Sequence, residues 1–164
     1  CLWRSDSPIR IMDKDLISFF ELHMPLKADE ITIDAKREWG SMSVLEMIDH
    51  LSTGFRISLI DEEREILVPA HKLERAQAFL ESDLPMRQNF AKPEQYTAFS
   101  LRSADLEVAK NDFLIQAREL MDFFLANPDY TAIHPHFGRL NTRQWLLMHK
   151  KHIQHHFSQF SVQF

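Results

Sequence analysis

Cysteine is almost absent from this chain: Cys1 is the only one in 164 residues. A lone thiol excludes an internal disulfide and any cysteine-rich metal site, and it suits a reducing compartment without requiring one. Glycine is nearly as scarce, with Gly40, Gly54 and Gly138 alone. Rossmann folds, P-loops and β-sandwiches rely on glycine for tight turns and phosphate approaches, so this scarcity points to a mostly helical protein. No uncharged apolar run approaches the ~20 residues that span a bilayer, and no secretory h-region opens the chain. Surplus positive charge is missing too. Nineteen basic against 24 acidic residues give a formal charge of -5, the wrong sign for affinity built on phosphate neutralisation, and nucleic acid is not an expected partner. Internal repeats and low-complexity segments are absent, which excludes solenoids.

What is present is ordinary globular composition, 45% hydrophobic and 26% charged. The length falls in the range of roughly 100–200 residues typical of one domain, and a single domain over 1–164 is expected. The chain opens on Cys and not Met, as a processed or truncated product would, and a lipoprotein cleaved just before its lipid-bearing Cys would begin this way. The expected location is cytoplasmic, with a lipid-anchored or exported protein as the alternative if Cys1 is a processed N-terminus.

Helical periodicity organises the sequence. Leu16, Phe19, Phe20 and His23 predict a helix from about Asp13 to Met24, stopped by Pro25. Ser43-Val44-Leu45-Glu46 is a capping box opening a second helix to about Ile60, with Val44, Met47, Ile48, Leu51, Phe55 and Leu59 as its stripe and His50 at the edge of it. The run Asp61-Glu62-Glu63-Arg64-Glu65 is expected to be the solvated end of that helix. A shorter helix is predicted from about Ala70 to Glu81, then an irregular stretch through Pro85 and Pro93 that could drape over a site. A long helix follows from about Ala104 to Ala126. Asn141 and Gln144 open the last one, which carries Trp145, Met148, Ile153, Phe157 and Phe160 to the C-terminus. Four long amphipathic helices, with a crossover segment between the second and third, predict an all-α four-helix bundle. Trp39, Trp145 and the phenylalanines of the last helix are expected to pack in the core.

The histidines carry the chemistry. Nine are present, and His149, His152, His155 and His156 fall within eight residues of the last helix. His152 and His156, at i and i+4, share a face with Cβ atoms about 5–6 Å apart, so two imidazoles can converge on one ion. At about 100° per residue, Trp145, Met148, His149, His152, His156 and Gln159 form the inner face of this helix. Three neutral imidazoles would suit zinc or nickel and leave a further position for water or substrate. His23, His50 and His149 all qualify by spacing as the third ligand.

The string HIQHHFSQ at 152–159 resembles the H-x-x-H-H-x-x-Q spacing in the last helix of the DinB/YfiT-like superfamily of metal-dependent bundle proteins. WGSMSVLEMIDHL (39–51) and HPHFGRLNTRQW (134–145) are similar to segments of one branch of unassigned function. The resemblance implies a four-helix bundle whose single divalent metal is held by His50, His152 and His156. It also implies thiol S-transfer chemistry with bacillithiol, mycothiol or glutathione, or mycothiol-dependent isomerisation, as candidate activities. Phe157-Ser158 stands where many relatives carry Arg-Gly before the glutamine.

An enzyme of this kind would bind a thiol or water at the metal and lower its pKa. His134 and His136 are then candidate proton carriers at the mouth, His149 and His155 candidate ligand contacts, and Gln159 a candidate support for a ligand or backbone group. Glu46, one turn before His50, is accounted for by its capping box. A small thiol or other small molecule is the expected partner, and a homodimer is a candidate assembly that the sequence does not decide. The alternative is a non-catalytic metal-binding or stress-response bundle protein.

Overall fold

The computed structural model describes residues 13–88 and 103–164, so Cys1 and most of the irregular stretch around Pro93 lie outside the described residues. Helix α1 covers 14–29 as three consecutive stretches, Lys14–Ser18, a π-helical turn Phe19–His23, and Met24–Asp29. Pro25 does not stop it. The Met24 N–H bonds back to the Phe19 carbonyl, five residues earlier, and the widened turn makes room for a ring that would strike the carbonyl four residues back in a regular α-helix. The extra turn buries Met24 and Ala28.

Helix α2 spans Val44–Ser58, opened by the predicted capping box, in which Glu46 accepts the Ser43 N–H at 2.7 Å and the Ser43 hydroxyl accepts the Glu46 N–H at 3.2 Å. The acidic run is not helical and follows the helix. Within it Arg64 turns back to donate to the carbonyls of Ile57, Ile60 and Ile133 at 3.1, 3.2 and 3.0 Å, which satisfies acceptors that a helix end leaves open. Helix α3 is Ala70–Glu81, as predicted, and α4 is Leu106–Ala126 with Asp105 as N-cap. Helix α5, Thr142–Ser158, starts with a capping box between Asn141 and Gln144.

The expectation of an all-α bundle is overturned. Strand β1, Thr131–His134, pairs antiparallel with β2, Gly138–Asn141, with Ala132 opposite Leu140 and His134 opposite Gly138. Ala132 and Leu140 are both buried, so the hairpin is held down by one apolar residue per strand. Such strands are too short to show a period-two pattern in the sequence. Gly138 takes φ +73°, which closes the hairpin and suits glycine. Gln77 of α3 donates to the Phe137 carbonyl at 2.9 Å, tying the turn to the helix.

The helices otherwise bury the stripes their sequences announce. Phe55 of α2 stacks on Phe113 of α4 with centroids 5.4 Å apart, and Phe157 of α5 meets Phe113 at 6.1 Å. Trp145 is fully buried, in keeping with its expected place in the core. Lys151 of α5 donates to the carbonyls of Ser82 and Leu84, both at 2.6 Å, just past the end of α3. Phe113 thus bridges α2 and α5, and the His149–Ser58 bond at 2.9 Å joins the two helices directly.

Candidate metal centre

His50 projects from α2 toward α5, where His152 and His156 stand one turn apart. The His152 Nε2 lies 2.9 Å from the His50 Nε2 and 3.0 Å from the His156 Nε2. One ligand atom from each ring falls within 4.8 Å of the others, and among the described residues no Cys, Asp, Glu or further His joins this group. The rings meet edge to face, with centroids 4.6 to 4.8 Å apart. Three nitrogens held at ~2.0–2.1 Å from one tetrahedral ion would be about 3.3 Å apart. The two Nε2 separations at His152 are within a few tenths of an ångström of that spacing, and three imidazole nitrogens are a donor set that suits a borderline divalent ion.

Burial favours the state that a metal needs. The His152 ring is pushed well below the ordinary imidazole range, first by desolvation and then by His156 and His50 beside it. A neutral ring presents a lone pair, whereas a protonated one repels a cation. His156 is buried, and its Nδ1 lies 2.7 Å from the Gln159 Oε1. An amide oxygen only accepts, so this contact places the proton on Nδ1 and the lone pair on Nε2, facing the cluster. Gln159 is therefore a support for His156.

The remaining candidates are spread around this centre. His155 stands beside His156 at 5.0 Å between centroids, and half-buried Trp39 sets its indole against His155 at 4.7 Å. His149, fully buried, stacks on Trp145 and bonds through Nε2 to the Ser58 hydroxyl at 2.9 Å. Desolvation, with a smaller contribution from His134, lowers its pKa to about 3. His134 and His136 pair with each other in the hairpin: the His134 Nδ1 accepts the His136 N–H at 3.0 Å. His134 packs on Phe137 and Trp145, and burial, then His136 and Arg64, lower its pKa to about 3. His23 is exposed and lines a surface cleft with Phe19 and Lys150, outside the three-imidazole group.

Two further residues matter here, and only one of them lies in a sequence pattern. Ser58 anchors His149 from the last turn of α2, and a lone serine near a helix end carries no signal of that. Gly40 lies against the Gln159 amide. It stands in the WGSMSVLEMIDHL string (39–51) that carries part of the family resemblance.

No curated protein and no solved structure matches this chain. Residues 34–163 match the model of a family described as a protein of unknown function, DUF1569. That match runs from the segment before Trp39 through His50 to His152, His156 and Gln159, and the chain belongs to the DUF1569 family.

Proposed function

We propose that this protein is a divalent-metal-dependent enzyme whose ion is held by the Nε2 atoms of His50, His152 and His156. The observation that carries the reading is the convergence of three imidazole nitrogens from two helices on one point. Three imidazoles packed together, with His156 buried and its outer nitrogen bonded to Gln159, are costly for apolar packing alone and suit a metal site. The likeness of HIQHHFSQ to the last helix of DinB/YfiT-like proteins supports the same ligand set.

The donor set also favours catalysis over a purely structural ion. Structural zinc sites are usually closed by four protein ligands, whereas three ligands leave a position for water or substrate. A zinc or nickel ion there would lower the pKa of a water or thiol and supply a nucleophile near neutral pH. The protein's own part is to hold the three lone pairs, keep His152 neutral by desolvation and exclude bulk water from the buried side through His149 and Trp145. His155 and Trp39, half-buried and in ring contact with each other beside His156, would contact a bound small molecule. Thiol S-transfer and hydrolysis are the reactions to screen.

The test is elemental analysis of tag-free protein after incubation with zinc or nickel, beside the H50A/H152A/H156A variant. About one equivalent per chain in the parent protein and none in the variant is expected for a three-ligand site. Equal metal in both would overturn the ligand set.

A further inference from the structure

We propose that Gly40 is a positioning residue of the three-imidazole site, acting through Gln159. Gly40 takes φ +85°, and a Cβ built on it would overlap the Gln159 Nε2. A flexible side chain could ordinarily swing away from such a clash. Gln159 cannot do so freely, because it is 4% exposed and its Oε1 sits 2.7 Å from the His156 Nδ1.

The backbone on both sides is pinned in the same place. The Glu38 N–H donates to the Gln159 carbonyl at 2.7 Å, and the Ser161 hydroxyl donates to the Glu38 carboxylate at 2.7 Å. Arg37 bridges the carbonyls of Ser41 and Met42, both at 3.0 Å, and closes the turn in which Gly40 sits. The 38–40 segment and the end of α5 are thus clamped together, and only a residue without a side chain leaves the Gln159 amide its position. Displacing that amide withdraws the acceptor that Gln159 offers to His156 Nδ1. The tautomer with its proton on Nε2, where a metal lone pair is needed, then gains population.

The proposal rests on the metal reading only for its effect on affinity; its primary readout is independent of metal. Long-range ¹H–¹⁵N correlation spectra of the apo protein, recorded at about pH 8.5 to keep the imidazoles neutral, report which nitrogen of His156 carries the proton. Gly40→Ala, Gly40→Asn, Gln159→Ala and the Gly40→Ala/Gln159→Ala double variant are compared with the parent. Asn tolerates the left-handed backbone better than Ala and so tests the Cβ with little φ strain. The parent is expected to show the Nδ1–H form and each variant a shift toward Nε2–H. Zinc affinity by chelator competition is expected to fall 10–100-fold in each single variant, with no further loss in the double variant. An unchanged tautomer and unchanged affinity in the Gly40 variants overturn the proposal, and so do losses that multiply in the double variant. A parent that takes up no zinc while the tautomer still shifts overturns the metal reading and leaves the positioning role standing.

Discussion

The His149 imidazole meets the Ser58 hydroxyl at 2.9 Å, joining the middle of α5 to the last residue of α2. The Ser58 hydroxyl donates its one hydrogen to the Phe55 carbonyl at 2.7 Å, so the imidazole is the donor in the bond to Ser58 and carries its proton on Nε2. Phe55 closes the other side of the same ring at 4.9 Å, edge to face. His149 thereby reports on whether the two helices that carry the metal-site histidines remain in contact.

A specific acid sensitivity follows. The folded pKa of His149 is about 3, against about 6.5 in an unfolded chain. Above about pH 6.5 the ring is neutral in both states and contributes no pH dependence. Between the two values the unfolded chain takes up a proton that the folded protein refuses, so stability falls with pH by about 1.4 kcal/mol per unit. Urea denaturation from pH 8 to 4 is expected to show this loss. His149→Phe should make the slope shallower by about one proton while costing about 1 kcal/mol near pH 8 for the lost hydrogen bond. An unchanged slope would place the acid sensitivity elsewhere.

The hairpin offers a test of the corrected fold. Gly138 combines φ +73° with a would-be Cβ 3.3 Å from Leu73. Gly138→Ala is expected to destabilise by about 1–3 kcal/mol, since an L-residue is strained at that φ. Thermal denaturation measures the loss, and a neutral result would mean the turn relaxes without the glycine.

The long helices were legible in the sequence, and the hairpin was not. Ser43 with Glu46 and Asn141 with Gln144 are complete capping signals within four residues, and both boxes form. Leu106 to Phe124 on α4 repeats its stripe over many turns, which no other structure would bury as well. By contrast, 131–134 and 138–141 each bury a single apolar side chain, and their pairing is set by contacts with α3 and Gly138 that no local pattern displays. Pro25 misled for a related reason: its ring is tolerated because a π turn, Phe19–His23, closes directly before it. Within the site, the i, i+4 spacing placed His152 and His156 on one face. The third imidazole depended on how α2 packs on α5, and spacing left His23, His50 and His149 open.

Asp49, the neighbour of His50, is 2% exposed and accepts from the Ser103 N–H at 3.1 Å and from the Ser103 hydroxyl at 2.9 Å. These bonds hold the chain just before α4 against α2. Asp49→Ala strands both donors, and a cost of about 2–4 kcal/mol is expected from two lost bonds to a charged group. Ser103→Ala, which keeps the N–H, should cost less. Equal stability of Asp49→Ala and the parent in urea would show that this anchor is dispensable.

The last prediction separates a metal that does chemistry from one that holds the fold. The core runs through Met47, Ile48, Leu51, Phe55, Phe113, Leu120, Trp145, Ile153 and Phe157, all buried without help from the imidazole cluster. Small domains that depend on structural zinc unfold when it is removed, but a core of this extent does not need that support. Chelated protein is therefore expected to keep its far-UV circular dichroism and a cooperative melting transition. Zinc at about 100-fold above its dissociation constant should then add about 2.7 kcal/mol by mass action, read as a rise in Tm. His156→Ala removes one ligand of the three and should abolish both stoichiometric metal and the zinc-dependent rise. Collapse of the helical signal on chelation would make the ion structural and overturn the catalytic reading, while a full zinc response in His156→Ala would remove that residue from the ligand set.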